Sequence, residues 1–216
     1  MVIKSFPLIY LLGSTLLWSC GKEDKKHLPP PHEAQEERPN EEGLKTGSYR
    51  IILSPLNNQA FKHLSNGTGN IETLNEGMAL QIKMVGTPAE VTHHQYLHDG
   101  KSCPEEDHDI NKDGLIDADE VIKFSGKRLM DLDADLNSQD PLNQEFPRAD
   151  RSGHYMYTEM VKLEVLDFDP QEKVIIVYGV PAKTPLPETI ETLNELSSQE
   201  SLPIACGKIM KVPEEE

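Results

Sequence analysis

Residues 69–85, GNIETLNEGMALQIKMV, have the pattern of a β-hairpin. In the second arm, residues 78–85, every other position is apolar: Met78, Leu80, Ile82 and Met84. Because successive side chains of a strand point to opposite faces, this arm has one apolar and one polar face. Asn75-Glu76-Gly77 separates the arms with residues that favour tight turns. The segment therefore predicts an antiparallel hairpin with one face in a core.

Strand patterns recur through residues 47–212, whereas helical patterns are rare. Further strands are predicted at residues 49–53, 155–168, 173–180 and 204–210. The run at 173–180 is apolar throughout, which is typical of a central strand. Only residues 188–196 have helical spacing. Many short strands separated by turns favour an antiparallel β-sandwich, so we expect one mostly β domain at 47–212 and an acidic tail at 213–216.

Residues 1–19 have the features of an export signal. Lys4 precedes an apolar stretch at 6–18 that is too short to span a membrane. The stretch ends Leu17-Trp18-Ser19-Cys20, which resembles the cleavage box of bacterial lipoproteins, in which the cysteine is lipidated. An uncleaved anchor or an ordinary secretory signal are the alternatives. Since Gly21 replaces the aspartate associated with inner-membrane retention, we expect a lipoprotein of the outer membrane.

The composition of the chain limits the kinds of partner that we expect. Residues 20–46 are rich in Glu, Lys and Pro, with Pro29-Pro30-Pro31 near the centre, and predict a tether that follows the lipidated Cys20. The net charge of −16 argues against nucleic acid and anionic lipid surfaces as partners. We expect membrane attachment through the lipid, and an envelope or surface protein of unknown identity as partner.

The cysteine count agrees with export. The chain has three cysteines. If Cys20 carries lipid, Cys103 and Cys206 remain as a pair in an oxidising compartment, and a disulfide is expected between them. A closed loop of about 100 residues adds up to roughly 4.7 kcal/mol in the chain-entropy model. The alternative is two free thiols, which an exported protein seldom keeps.

Residues 109–120, DINKDGLIDADE, have the complete pattern of a twelve-residue calcium loop. Oxygen-bearing side chains stand at loop positions 1, 3, 5, 9 and 12, and glycine stands at position 6. The predicted ligands are Asp109, Asn111, Asp113, Leu115 through its carbonyl, Asp117 and Glu120. Six or seven flexible oxygens suit Ca²⁺ better than Mg²⁺. The alternative is a solvated acidic turn that bends at Gly114.

The flanks of this loop differ from a helix–loop–helix. The residues before Asp109 include Gly100 and Pro104 and have no helical period, while 121–124 predict one helical turn or a short strand. Calcium sensors of this type open by changing the angle between two flanking helices, so without two such helices we expect no sensor-type opening. We therefore expect calcium to be structural, holding a long surface insertion.

A second acidic run does not complete the calcium pattern. It begins at Asp131, Asp133 and Asp135, but Leu136 stands at position 6 and Leu142 at position 12. A ring of oxygen ligands cannot close there, and a solvated acidic loop is expected.

Scattered segments resemble two families of β-sandwich. LSPLNN at 53–58 and HQYLHDG at 94–100 resemble CHRD domains. VIIVYGV at 174–180 and LPIACGKI at 202–209 resemble the last strands of Cu/Zn superoxide dismutases, and Cys103 and Cys206 occupy comparable places to their disulfide. The arrangement is also similar to a group of uncharacterised bacterial lipoproteins with a DxNxDGxxD loop. The resemblance implies a sandwich from which the calcium loop extends as an insertion.

The dismutase resemblance does not extend to the copper ligands. It places copper histidines where Tyr96 and Tyr178 stand, and a phenol does not replace an imidazole as a copper ligand. We therefore expect that the chain is not a redox enzyme.

A cluster of histidines leaves a second hypothesis open. His94 and His98 are four residues apart and share one face of a strand, close to His93. With Asp99 or His154 they would form a weak zinc or copper site, in a divergent dismutase-like protein or a copper carrier. The simpler interpretation is that these histidines pack against loops. Our leading hypothesis is a calcium-binding, lipid-anchored extracytoplasmic interaction module.

Overall fold

The computed structural model describes residues 46–58, 64–75, 77–138, 144–162, 168–194 and 196–213. All of them belong to one unit of the chain, Glu41–Glu216. The predicted signal, Cys20 and nearly all of the tether lie outside the described residues, as do residues 214–216 of the tail. Within the described ranges, no helix is long and apolar enough to cross a membrane.

The described residues are mostly β, as predicted. The strands are β1 Gly47–Pro55, β2 Asn66–Leu74, β3 Gly77–Val85, β4 Gln95–His98, β5 Arg128–Asp131, β6 Tyr155–Lys162, β7 Val174–Tyr178 and β8 Pro203–Lys211. Two short helices accompany them, α1 Ala118–Ser125 and α2 Ser198–Ser201, together with a single 3₁₀ turn at Glu106–His108.

The strands form one antiparallel sheet in the order β5-β4-β7-β8-β1-β2-β3-β6. The hydrogen bonds therefore run through all eight strands without dividing them into the two sheets of a sandwich. The sheet curls, which brings its end strand β6 close to β4. Tyr155 on β6 donates a hydrogen bond to Gln95 on β4 at 3.2 Å. Tyr157 likewise donates to the Asp133 carbonyl, just beyond β5, at 2.7 Å. A single curled sheet is thus what the structure has, and a sandwich stays a prediction.

The hairpin predicted at 69–85 is confirmed as β2 and β3, which pair from Asn66↔Val85 to Leu74↔Gly77. Its inward-facing side chains are almost fully buried: Ile71, Met78, Leu80, Ile82 and Met84. Gly77 has φ 155°, and a Cβ there would collide with the carbonyl oxygen of Val161 on β6. The turn thus needs glycine both for its backbone and for the close approach of a third strand.

The strand predicted at 173–180 is confirmed as β7, and all five of its residues are buried. Its inward face, with Ile175 and Val177, belongs to the main core. Its other face, with Ile176 and Tyr178, belongs to a second core that includes Val121 of α1. A strand covered on both faces has no polar positions, which explains the unbroken apolar run.

The helical spacing at 188–196 does not correspond to a helix over residues 188–194, which form turns and irregular backbone. The Glu191 N–H donates to the Asp117 side chain at 3.1 Å, and the Leu193 N–H donates to Ser201 Oγ at 2.9 Å. Asn194 has φ 48°, outside the right-handed helical region. Since these donors serve tertiary contacts, they are not available for helical hydrogen bonds. Ile190 and Leu193 are buried all the same.

Candidate metal centre

The first half of the 109–120 loop is folded by its own side chains. Asp109 Oδ1 accepts from the Lys112 N–H at 2.7 Å, and Asp109 Oδ2 accepts from the Gly114 N–H at 2.8 Å. Asp113 Oδ1 accepts from the Leu115 N–H at 2.9 Å. Carboxylates that bond to nearby backbone N–H groups favour tight turns over regular structure. Gly114 has φ 89° with nothing within 4 Å of an added Cβ, so its backbone conformation alone favours glycine.

The second half of the loop begins α1. Asp117 Oδ1 accepts from the N–H groups of Asp119 and Glu120, both at 3.0 Å, and Glu120 Oε2 accepts from the Asp117 N–H at 3.0 Å. This reciprocal capping box stabilises the start of the helix. Glu120 Oε1 also accepts from the Ile110 N–H at 2.6 Å, so the last loop residue holds the first turn of the loop. The exit flank is therefore helical: α1 begins within the loop and continues to Ser125, about one turn beyond it, as one of the two expectations for residues 121–124 had it.

The entering flank has only the 3₁₀ turn Glu106–His108. The His108 ring stacks on Phe124 of α1, with ring centroids 3.7 Å apart, so the entering turn contacts the exit helix. The disulfide expected between Cys103 and Cys206 is confirmed. It joins the segment before the loop to β8, in the middle of the sheet.

Asn57, just after β1, attaches the loop to the sheet. Its Oδ1 accepts from the Ile116 N–H at 2.8 Å, and its Nδ2 donates to the carbonyl oxygens of Ile116 and Pro203, both at 2.9 Å. The residue has φ 56°, a left-handed conformation that asparagine tolerates better than most residues. Sequence analysis quoted Asn57 only within a family resemblance and missed this role, since an Asn after a strand predicts no more than a turn.

Residues 187–194, which we term the strap, lie against the predicted ligands. Thr189 Oγ1 donates to Asp113 Oδ2 at 2.5 Å, and the Thr189 carbonyl accepts from Asn111 Nδ2 at 3.4 Å. The Glu191 N–H donates to Asp117 Oδ2 at 3.1 Å. Sequence analysis missed these contacts because the strap lies some 70 residues along the chain from the loop and has no ligand motif.

No three His, Cys, Asp or Glu side chains of the described ranges form a group that could hold a metal ion. In the loop, the carboxylates accept hydrogen bonds from nearby backbone N–H groups. Its residue types nevertheless fit a hard cation, because four carboxylates are combined with an amide and a carbonyl oxygen. Asp117 and Glu120 are only 1% and 2% exposed, and each accepts N–H hydrogen bonds that offset the cost of burying a carboxylate.

No basic side chain of the described residues forms an ion pair with Asp117 or Glu120. Lys123 forms one with Asp119, and that hydrogen bond is the main cause that raises the pKa of Lys123. Lys123 also interacts electrostatically with Asp117 and Glu120, which contributes to raising its pKa.

The histidines are engaged in packing contacts. His98 Nδ1 lies 2.9 Å from the Gly126 carbonyl oxygen and Nε2 lies 3.3 Å from the Tyr178 hydroxyl. Burial lowers the pKa of His98 to about 4. Both ring nitrogens of His93 face carbonyl oxygens, those of Tyr178 at 3.1 Å and Pro88 at 3.3 Å. Desolvation lowers the pKa of His93 as well.

The remaining residues of the hypothetical transition-metal site do not converge. His94 packs on Phe146, with ring centroids 4.6 Å apart, and its Nδ1 lies 3.5 Å from the Tyr96 hydroxyl. Asp99 forms an ion pair with Lys173 at 2.8 Å. His154 is exposed, directly before β6. No observation therefore favours zinc or copper at this cluster.

Tyr96 and Tyr178, which stand where copper histidines were implied, are buried against each other at 5.6 Å between ring centroids. Burial raises the pKa of Tyr96 to about 12 and keeps it neutral. The Arg128 guanidinium lies 4.5 Å from the centre of the Tyr96 ring, a cation–π contact. These aromatic rings fill the second core.

The second acidic run has partners within the fold. Asp131 pairs with Arg128 at 3.2 Å, and Asp133 Oδ1 accepts from the Asp135 N–H at 3.0 Å. Desolvation raises the pKa of both Asp131 and Asp133. These contacts hold the turn that leads away from β5.

The chain matches no protein-family model and no curated protein. Function is therefore inferred from the fold and the loop alone. They define a mostly β protein with one curled antiparallel sheet, to which the 109–120 loop is attached at several points.

Proposed function

We propose that this chain is a calcium-binding protein of the cell envelope, in which the ion stabilises the fold. The observation that supports the proposal most directly is the pair of buried carboxylates, Asp117 and Glu120, within a loop that has every ligand type of a calcium site. A bound divalent cation would add positive charge beside these two carboxylates.

The ligands would be Asp109, Asn111, Asp113, the Leu115 carbonyl, Asp117 and Glu120. Because several of their oxygens accept backbone N–H bonds in the free loop, binding requires the side chains to close toward one another. A stabilising role is favoured over a sensor role, since the entering flank is a single 3₁₀ turn rather than a helix. The calcium-bound loop would hold together the insertion between Cys103 and β5 of a sandwich-like fold.

The proposed location follows from the N-terminal features and the disulfide. A lipid on Cys20 and a tether at 20–46 would hold the domain at the outer membrane, on its periplasmic or surface face. The Cys103–Cys206 bridge is typical of oxidising compartments. Calcium sites of extracellular modules have Kd values of about 10⁻⁴ to 10⁻³ M. There the domain would serve as an interaction module for another envelope protein.

The test is thermal unfolding of the mature protein in calcium and in chelator, with titration calorimetry beside it. At calcium ten times its Kd, linkage adds about 1.4 kcal/mol of stability. For a domain of this size, that corresponds to a Tm higher by about 3–6 °C.

The variant Glu120→Gln is expected to lose the calcium response. The matched control Glu145→Gln removes an exposed carboxylate outside the loop and is expected to keep it. Equal Tm values in calcium and chelator, with no heat of binding, would contradict the proposal.

A further inference from the structure

The strap bonds to one carboxylate oxygen on each of two predicted ligands, Asp113 and Asp117. In Asp113, Oδ1 accepts from the loop's own Leu115 N–H, while Oδ2 accepts from the Thr189 hydroxyl at 2.5 Å. In Asp117, Oδ1 caps α1, while Oδ2 accepts from the Glu191 N–H at 3.1 Å. Both carboxylates are thus oriented from two sides, by the loop and by the strap.

The strap is also held from its other side. The Leu193 N–H donates to Ser201 Oγ at 2.9 Å, next to β8. Ile190 lies in the main core and Leu193 in the second core. Apolar packing therefore fixes the position of the strap relative to the sheet. The polar groups of the strap are then held in place to form hydrogen bonds with the loop.

Asn111 marks where the two segments converge. Its Nδ2 lies 3.4 Å from the Thr189 carbonyl oxygen and 3.5 Å from Asp117 Oδ2. The NH₂ group of the Asn111 side chain thus lies between one oxygen atom of the strap and one of the loop.

We propose that the strap is a second, non-contiguous part of the calcium site, in which Thr189 and the Glu191 amide position the ligands Asp113 and Asp117. By orienting the ligand oxygens, strap docking favours calcium binding, and because the coupling is reciprocal, calcium binding favours strap docking to the same extent. The inference rests on the proposed function and adds residues from outside the twelve-residue loop to it.

Groups that orient metal ligands typically contribute about 10- to 100-fold to metal affinity. Thr189→Val removes the hydroxyl that holds Asp113 and keeps the shape of the side chain. We expect its calcium Kd to rise about tenfold. Thr189→Ser restores the hydroxyl and is expected to return the Kd to within about twofold of the wild-type value.

The experiment is calcium titration calorimetry on the full mature protein and three variants. Thr184→Val is the matched control, because the contacts of Thr184 use its backbone and do not reach the loop. Thr189 is exposed, so its variants are expected to fold, and their Tm in chelator checks this. An unchanged Kd in Thr189→Val, with calcium bound by the wild type, would overturn the strap inference and leave the proposed function standing. No binding by the wild type would overturn both.

Hydrogen exchange supplies a second readout that does not depend on affinity. Calcium is expected to slow exchange of the Glu191 and Leu193 amides in the wild type, and to slow it less in Thr189→Val. Equal exchange of the strap with calcium and with chelator would overturn the coupling even if the loop binds the ion.

Discussion

The side chain of Asn57 pairs with both backbone groups of Ile116, its Oδ1 accepting from the N–H at 2.8 Å and its Nδ2 donating to the carbonyl at 2.9 Å. A primary amide offers a donor and an acceptor side by side, as a neighbouring strand would. The same Nδ2 reaches the Pro203 carbonyl at the start of β8. One side chain therefore joins the 109–120 loop to two strands of the sheet.

Replacing this amide is expected to destabilise the protein. Asn57→Gly tolerates the left-handed backbone but leaves the two Ile116 groups without this partner, at a cost of about 2–6 kcal/mol, since each unpaired buried group costs roughly 1–3 kcal/mol. Asn57→Ala is expected to lose about 1 kcal/mol more, because a Cβ disfavours φ 56°. Urea unfolding measures both variants. A glycine variant as stable as the wild type would show that the amide contributes nothing.

The close approach of β1 and β8 at Gly207 gives a packing prediction. A Cβ on Gly207 would lie 2.7 Å from Ile51 Cγ2 and 2.9 Å from the Ile52 carbonyl oxygen. Gly207→Ala is therefore expected to lose about 1–3 kcal/mol through overpacking. Gly47→Ala is the control, since its nearest atoms would be 3.7 Å away, and it is expected to change stability by less than about 0.5 kcal/mol. Equal midpoints for the two variants in urea would refute the prediction.

The Cys103–Cys206 disulfide is expected to contribute substantially to stability. It spans 103 residues, and loss of a native disulfide typically costs about 2–5 kcal/mol. The double variant Cys103→Ala, Cys206→Ala should unfold at lower urea than the oxidised wild type. Wild-type protein in reducing agent should unfold near the double variant, which separates the effect of the bond from that of the substitutions. No change on reduction would count against a structural role.

Buried His98 is expected to make stability depend on pH. Its folded pKa of about 4 lies below the unfolded value of about 6.5, so the unfolded state binds more protons between these values. Stability is therefore complete above about pH 6.5 and is lost as pH falls toward 4, by about 3 kcal/mol from this residue.

Urea unfolding of the wild type and His98→Gln across that pH range isolates the contribution, because the carboxylates titrate in both proteins. The variant is expected to have a shallower decline. Parallel curves for the two proteins would mean that His98 does not titrate as its burial implies.

Much of the sheet could be predicted from the sequence because strand patterns are local. The alternation at 78–85 and the apolar run at 173–180 correspond to β3 and β7. The helical spacing at 188–196 was misleading, since Ile190 and Leu193 are buried by tertiary packing while the backbone donates to Asp117 and Ser201. The same apolar spacing serves an irregular segment when its hydrogen-bond partners lie elsewhere.

The residue pattern of the 109–120 loop was readable in the sequence because it depends on spacing within a few residues, and the pair of cysteines was readable from their number and chemistry. The tertiary structure decided that the strands join in one sheet and that Asn57 and Thr189 lie against the loop. Those contacts join residues 59 and 76 positions apart in the chain. Only the packing of the whole sheet brings such distant groups within hydrogen-bond distance, so no local pattern encodes them.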